Sequence, residues 1–172
     1  MGRVPTEIRV IVVMGVAGAG KTLVGSALAR ALGWTFYDAD DFHSPENVAK
    51  MHRGIGLTDA DRAPWLAALR DLIERVIRDG RKAVLACSAL KEAYRKTLTP
   101  DDAPPGTVRF VYLDVPADVL RERLEHRAHH YAPPELLDSQ LATLEPPHDA
   151  VRVDGTLPPD EIVGAARSAL SV

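Results

Sequence analysis

Gly15-Val16-Ala17-Gly18-Ala19-Gly20-Lys21-Thr22 carries glycines, a lysine and a hydroxyl at the spacing G-x-x-x-x-G-K-[ST]. The run follows the apolar stretch Ile8 to Met14 and precedes apolar residues at helical spacing, so it turns a strand into a helix. Glycines let successive backbone N–H groups converge on one point and admit a phosphate closely. The helix N-terminus behind them adds partial positive charge. Lys21 can reach the β- and γ-phosphates of a nucleotide, and the Thr22 hydroxyl can ligate Mg²⁺. The chemistry this pattern predicts is binding of ATP with Mg²⁺ by the whole run from Gly15 to Thr22.

Phosphoryl transfer needs little else: charge neutralisation, positioning and one oriented base. Asp38 and Asp40 stand just past a second strand. One can order Mg²⁺ waters while the other accepts the proton of an attacking hydroxyl; a turn or helix cap is the competing use of such aspartates. Asp41 beside them is read as solvated. The third strand ends in Cys87-Ser88 and carries no acid, so a metal-ordering duty falls to Asp38 or Asp40. Asp114 closes a later buried run and reads mainly as a turn residue before Pro116. Arg123 and Arg127 are four apart and share a helical face, from which they can neutralise the transferring group. Lys91 and Arg95, also four apart, and Lys50 and Arg53 in the polar segment can bind an anionic, hydroxylated acceptor. His43, three residues past Asp40, can hydrogen-bond a hydroxyl, though a lone histidine is as often structural. Cys87 reads as a small buried residue rather than a nucleophile.

These residues must be held by an alternation of strands and helices. Strands are expected at Ile8–Met14, Thr35–Tyr37, Ala83–Ala86, Val108–Leu113 and Val151–Val153, with helices between them. Gly33 ends the first helix. A short helix over Pro45–Arg53 interrupts a polar, irregular segment from Asp40 to Asp61. Pro64 suits the first turn of a long helix that Gly80 ends. Further helices follow Lys91 and Pro116, run from Glu135 to Leu144, and close the chain at Glu161–Leu170. The basic, His-rich stretch from His126 to Pro134 has no apolar period and reads as a flap that shields the reaction from water. The fold class is α/β, a three-layer arrangement with a parallel sheet of about five strands covered on both faces. Ligands of such sheets lie beyond the carboxyl ends of the strands, where Gly15, Asp38, Ser88 and Asp114 all fall.

The chain of 172 residues reads as one domain, 1–172, without repeats or linkers. Its net charge of −3 gives no nucleic-acid footprint. No apolar run is long enough to span a bilayer, and Met1 to Arg9 lack the apolar core of a secretory signal. A single cysteine allows no intrachain disulfide, which fits a reducing cytoplasm.

Taken together the residues resemble the gluconate kinase (gluconokinase) family, small P-loop kinases close to shikimate kinase. The likeness runs through almost the whole chain. It is carried by the glycine run, by Asp38-Ala39-Asp40 with His43, and by Lys50-Met51 with Gly54, Leu57, Asp59, Asp61, Arg62 and Pro64-Trp65-Leu66. It continues in Cys87-Ser88-Ala89-Leu90-Lys91 with Tyr94-Arg95, in Arg123-Leu124 with Arg127 and His130-Tyr131, and in Ser139-Gln140 with Leu144-Glu145-Pro146-Pro147. The resemblance implies ATP-dependent phosphorylation of the 6-hydroxyl of D-gluconate, with Mg²⁺, a cytosolic setting and a homodimer. By position, Lys21 and Thr22 are then the phosphate and metal residues, with Asp38 a second metal candidate. Asp40 orients or deprotonates the acceptor hydroxyl. His43, Lys91, Arg95, Lys50, Arg53 and His130 help hold the acceptor within a segment over about 40–62 and a lid over about 126–137. Arg123 and Arg127 are the lid cations.

Three departures stand out, one of them a short stretch between Pro147 and Val151. Ala39 occupies a position the family usually gives to glycine, which is harmless unless that residue needs a positive φ. The lid reads His130-Tyr131 where relatives commonly have His-Phe, with His129 added. The competing readings are another small kinase of the shikimate kinase type and a non-catalytic nucleotide-binding module. Cys87-Ser88-Ala89 stands where shikimate kinases carry a glycine-rich acceptor loop.

Overall fold

A computed structural model describes residues 6–127 and 133–172. Five strands form a single parallel sheet in the order β2-β3-β1-β4-β5. They are β1 (Val10–Met14), β2 (Thr35–Asp38), β3 (Ala83–Ala86), β4 (Val108–Asp114) and β5 (Val151–Asp154). The continuous apolar run of β1 is explained by its place: it pairs with β3 on one side and β4 on the other, and every residue of it is buried. The chain leaves β1 in one direction for β2 and β3 and in the other for β4 and β5. A crevice therefore opens at the carboxyl end of β1, where the glycine run begins.

Seven α-helices cover the sheet: α1 (Lys21–Leu32), α2 (Pro45–His52), α3 (Asp59–Arg78), α4 (Glu92–Leu98), α5 (Ala117–Glu125), α6 (Pro134–Thr143) and α7 (Pro159–Leu170). Leu28 of α1, Leu69 and Ile73 of α3 and Leu120 of α5 are sealed against Ile11, Leu85 and Leu113 of the sheet. Each such side chain contributes about 1.5–3 kcal/mol on burial. Gly25 lets α1 lie directly on β2, since a Cβ there would stand 2.9 Å from the Phe36 ring.

The strand expectations hold to within a residue or two. The long helix α3 differs. It begins at Asp59, where Thr58 and Asp61 form a reciprocal capping box, and Pro64 lies inside it rather than in its first turn. Aspartate replaces the usual glutamate of that box, which hid the start in an otherwise polar stretch. Ala39 is buried at the start of a 3₁₀ turn, Ala39–Phe42, and is not among the described residues of positive φ. Alanine therefore replaces glycine there without backbone strain.

Candidate active site

The glycine run wraps the start of α1. Gly20 sits at φ 93°, a left-handed conformation that only glycine adopts cheaply. Gly15 answers a different need, because a Cβ on it would meet Ala19 at 3.0 Å and the Leu113 carbonyl at 3.3 Å. Lys21 Nζ donates to the Val16 carbonyl at 3.0 Å. The Ala17 N–H donates to Gln140 Oε1 of α6 at 2.7 Å. Desolvation lowers the Lys21 pKa, opposed by the nearby Asp40 and Asp38 carboxylates and reinforced by Arg127.

β2 delivers the acids. Thr22 Oγ1 donates to Asp38 Oδ2 at 2.7 Å, and Asp38 Oδ1 accepts from the Asp40 N–H at 3.0 Å, capping the 3₁₀ turn. Asp40 and Lys21 border the same cleft and act on each other electrostatically. Desolvation raises its carboxyl above the usual range; Lys21 opposes this, while Asp38 and Asp41 add to it. Among the described residues no group of three or more His, Cys, Asp or Glu side chains could hold a metal ion. Thr22 and Asp38 supply two oxygens, a set suited to Mg²⁺, which keeps several waters and completes its shell with phosphate oxygens.

The cleft has a volume of about 560 Å³ and is bordered by the glycine run, by Asp38, Asp40 and Asp41, and by Arg127 and Gln140. Its far wall is His43, Met51, Leu57, Arg62 and Trp65. Trp65 Nε1 donates to the Ala39 carbonyl at 2.7 Å, which ties α3 to the turn after β2. The His43 ring stacks on Trp65, with centroids 4.3 Å apart and planes 11° from parallel. His43 Nδ1 is buried without a hydrogen-bond partner. Desolvation, helped by the Arg62 charge, pulls the His43 pKa down to about 4, so the ring is neutral.

Arg62, which carries the family resemblance but no role in the sequence pattern, is placed at the cleft by the fold. It is 6% exposed, and its guanidinium donates to the Leu57 carbonyl at 2.6 Å and the Tyr94 hydroxyl at 3.3 Å. Both partners are neutral, and among the described residues Arg62 makes no ion pair. Asp59 acts on it only through space and through Tyr94, so a buried cation with no carboxylate in direct contact borders the cleft, poised for an anionic ligand. Its Tyr94 partner in turn donates to Asp59, which Lys91 Nζ meets at 3.1 Å. Sequence alone offered no signal for Arg62 beyond its place in a family segment, because its burial depends on how α3 packs.

Several expected contacts lie elsewhere. Lys50 pairs with Asp61 at 2.9 Å. Arg95 donates to the Ala89 carbonyl at 2.7 Å and the Glu145 carbonyl at 2.9 Å. Arg123 donates to Gly18 O at 3.1 Å and Gly155 O at 2.7 Å, backing the glycine run from outside. Arg53 is exposed at the end of α2. None of these, nor Lys91, borders the cleft; Lys50, Lys91, Arg95 and Arg123 are turned onto other partners. Arg127 does border it. His130, with residues 128–132 of the expected lid, lies outside the described residues, while 134–137 begin α6 with Leu136 and Leu137 buried. Asp114 pairs with Arg152 at 2.6 Å, away from the cleft. Burial pushes the Cys87 thiol up to about 12, which rules it out as a nucleophile.

The family described as an AAA domain matches residues 10–147. The gluconokinase of Gluconobacter oxydans (strain 621H) is 49% identical over 158 residues, covering 90% of this chain and 87% of that protein. An unliganded sugar kinase from Janibacter sp. HTCC2649 superposes with a TM-score of 0.89 at 42% identity, covering 96% of both chains. A gluconokinase from Sinorhizobium meliloti 1021 superposes with a TM-score of 0.83 at 45% identity, covering 96% of this chain and 93% of that one.

Proposed function

The chain belongs to the gluconokinase family, and from that footing we propose that it transfers the γ-phosphoryl group of ATP to the 6-hydroxyl of D-gluconate, giving 6-phosphogluconate and ADP. One observation supports this reading above the rest: the Arg62 guanidinium, which no carboxylate of the described residues contacts directly, shares a cleft with Asp40 and the glycine run. A substrate spanning that cleft would carry a carboxylate at one end and a hydroxyl at the other, as an aldonic acid does.

The chain's own groups divide the work. The amides of Gly15 to Thr22 and the Lys21 ammonium hold the triphosphate. Asp40, its pKa raised toward working pH, takes the hydroxyl proton as the oxygen attacks phosphorus. Thr22 and Asp38 would hold Mg²⁺, which when bound neutralises phosphate charge. Arg127 adds a cation beside Lys21. Arg62 takes the acceptor carboxylate, and neutral His43 hydrogen-bonds a hydroxyl. Lys91 acts behind this wall, through Asp59 and Tyr94 on Arg62, and Arg95 braces the turn before α4. The same reading holds 1–172 to be one domain, with 40–62 as acceptor segment and 126–137 as lid, working in the cytosol as a homodimer. Among the described residues no helix is long and apolar enough to cross a membrane.

A coupled assay of ADP release over gluconate, shikimate and AMP tests the proposal. Gluconate alone should stimulate turnover, with a phosphomonoester at its primary carbon by ³¹P NMR. Stimulation by shikimate or AMP in its place would overturn the substrate, and ATP binding without transfer to any of them would overturn the enzyme.

A further inference from the structure

One peptide unit of the glycine run is gripped at both ends. Lys21 Nζ donates to the Val16 carbonyl oxygen at 3.0 Å, and the N–H of that same peptide, on Ala17, donates to Gln140 Oε1 at 2.7 Å. Gln140 comes from α6, 123 residues further along the chain. A side-chain amide that accepts through its oxygen turns its NH₂ group away from the donor. Two donors on Nε2 are therefore left over, and among the described residues no group accepts from them. Gln140 borders the same cleft as Lys21, Asp40 and Arg127.

The support beneath this side chain is firm. Arg121 of α5 pairs with Asp138 of α6 at 2.8 Å. Just past α6, the Glu145 N–H donates to the Leu90 carbonyl at 2.7 Å, and the Glu145 carboxylate accepts from the Glu92 N–H at 2.9 Å. On the acceptor side, Ser139 packs so closely on Gly56 that a Cβ there would overlap its hydroxyl. Gln140 is thus held between the phosphate loop and the acceptor segment.

We propose that Gln140 is a contact residue for the transferring phosphoryl group. Its oxygen fixes the Val16–Ala17 peptide, and its Nε2 donates to an oxygen of the γ-phosphoryl when Lys21 leaves the Val16 carbonyl for that group. The proposal rests on the phosphoryl-transfer reading above but not on the identity of the acceptor. It makes Gln140 a discriminator of triphosphate from diphosphate, because ADP has no group at that place.

The test is calorimetric binding of ADP and of a non-hydrolysable ATP analogue to the full chain, with kcat and KM on gluconate alongside. Gln140→Glu keeps an oxygen for the Ala17 N–H but puts an anion where the donors were. It should leave ADP affinity within about threefold and lower analogue affinity and kcat about 10–100-fold, the loss of a charge-assisted hydrogen bond. Gln140→Met, which lacks both donor and acceptor, should also lower the analogue-to-ADP affinity ratio. An unchanged ratio in either folded variant would overturn the proposal and leave Gln140 a brace of the loop. Lack of gluconate turnover in the unsubstituted protein would overturn the substrate instead, with the affinity ratio still deciding Gln140.

Discussion

Thr22 Oγ1 donates to Asp38 Oδ2 at 2.7 Å, which joins the end of the glycine run to the end of β2. The other Asp38 oxygen caps the Asp40 N–H at 3.0 Å. A single carboxylate therefore holds the Thr22 hydroxyl and caps the turn that carries Asp40, and these are its two duties in the proposed mechanism. The sheet order makes this possible by leaving only β3 between β1 and β2.

Asp38→Asn should separate the two duties. The amide still caps the turn, but it is a poor partner for a cation. The Mg²⁺ concentration for half-maximal turnover should rise about 10–100-fold, the usual cost of disturbing a ligand or its support. A Mg²⁺ titration of initial rates reads this directly. An unchanged requirement would make Asp38 a cap and nothing more.

Asp40→Asn should lower kcat about 10²–10⁴-fold, the range of a lost general base, while nucleotide affinity holds. The base must be ionised, and desolvation raises its pKa. Turnover in the unsubstituted protein should therefore fall as pH drops through a value above the ordinary aspartate range. The variant should lose that acid limb.

Much of this was legible in the sequence because it is local. The glycine run is a contiguous motif, and the five strands announce themselves as apolar runs bounded by turn residues. Lys21 and Arg127 were legible as cleft cations, but the placement of the others was not. Lys50, Lys91, Arg95 and Arg123 stand near the cleft in sequence pattern, but where a long side chain turns depends on partners far along the chain. Arg123 meets a carbonyl 105 residues away and Arg95 one 50 residues away. The sequence gives no sign of the placement of Arg62 and Gln140 for the same reason, since burial of one and the loop contact of the other exist only once α3 and α6 have packed.

His43 gives a pH signature of stability. Its pKa falls from an ordinary 6.5 to about 4 in the folded chain. Below 6.5 the unfolded chain takes up a proton that the folded chain refuses, so stability is full above that pH and declines as pH drops toward 4. His43→Asn should flatten the dependence of Tm on pH across this window. The kinetic profile between pH 5 and 8 should carry no inflection from this ring.

Arg62→Leu should raise KM for gluconate about 10–100-fold with a smaller change in kcat, since a charged hydrogen bond to the acceptor is lost before and during transfer alike. Weak turnover of the uncharged polyol D-glucitol should be nearly unaffected. Equal losses on both acceptors would show that Arg62 shapes the wall without meeting a carboxylate.

Arg123 separates position from resemblance. A lid cation would act on the transferring group, so its loss would cut kcat and spare the fold. The guanidinium instead spans Gly18 O and Gly155 O, half-buried behind the phosphate loop. Arg123→Ala strands two carbonyls and should cost about 1–3 kcal/mol of stability. For a chain of this size that is a fall of several degrees in Tm. ATP and ADP affinity should drop together, because the loop that holds the shared phosphates loosens. A variant with unchanged Tm and reduced kcat alone would return Arg123 to the reacting group.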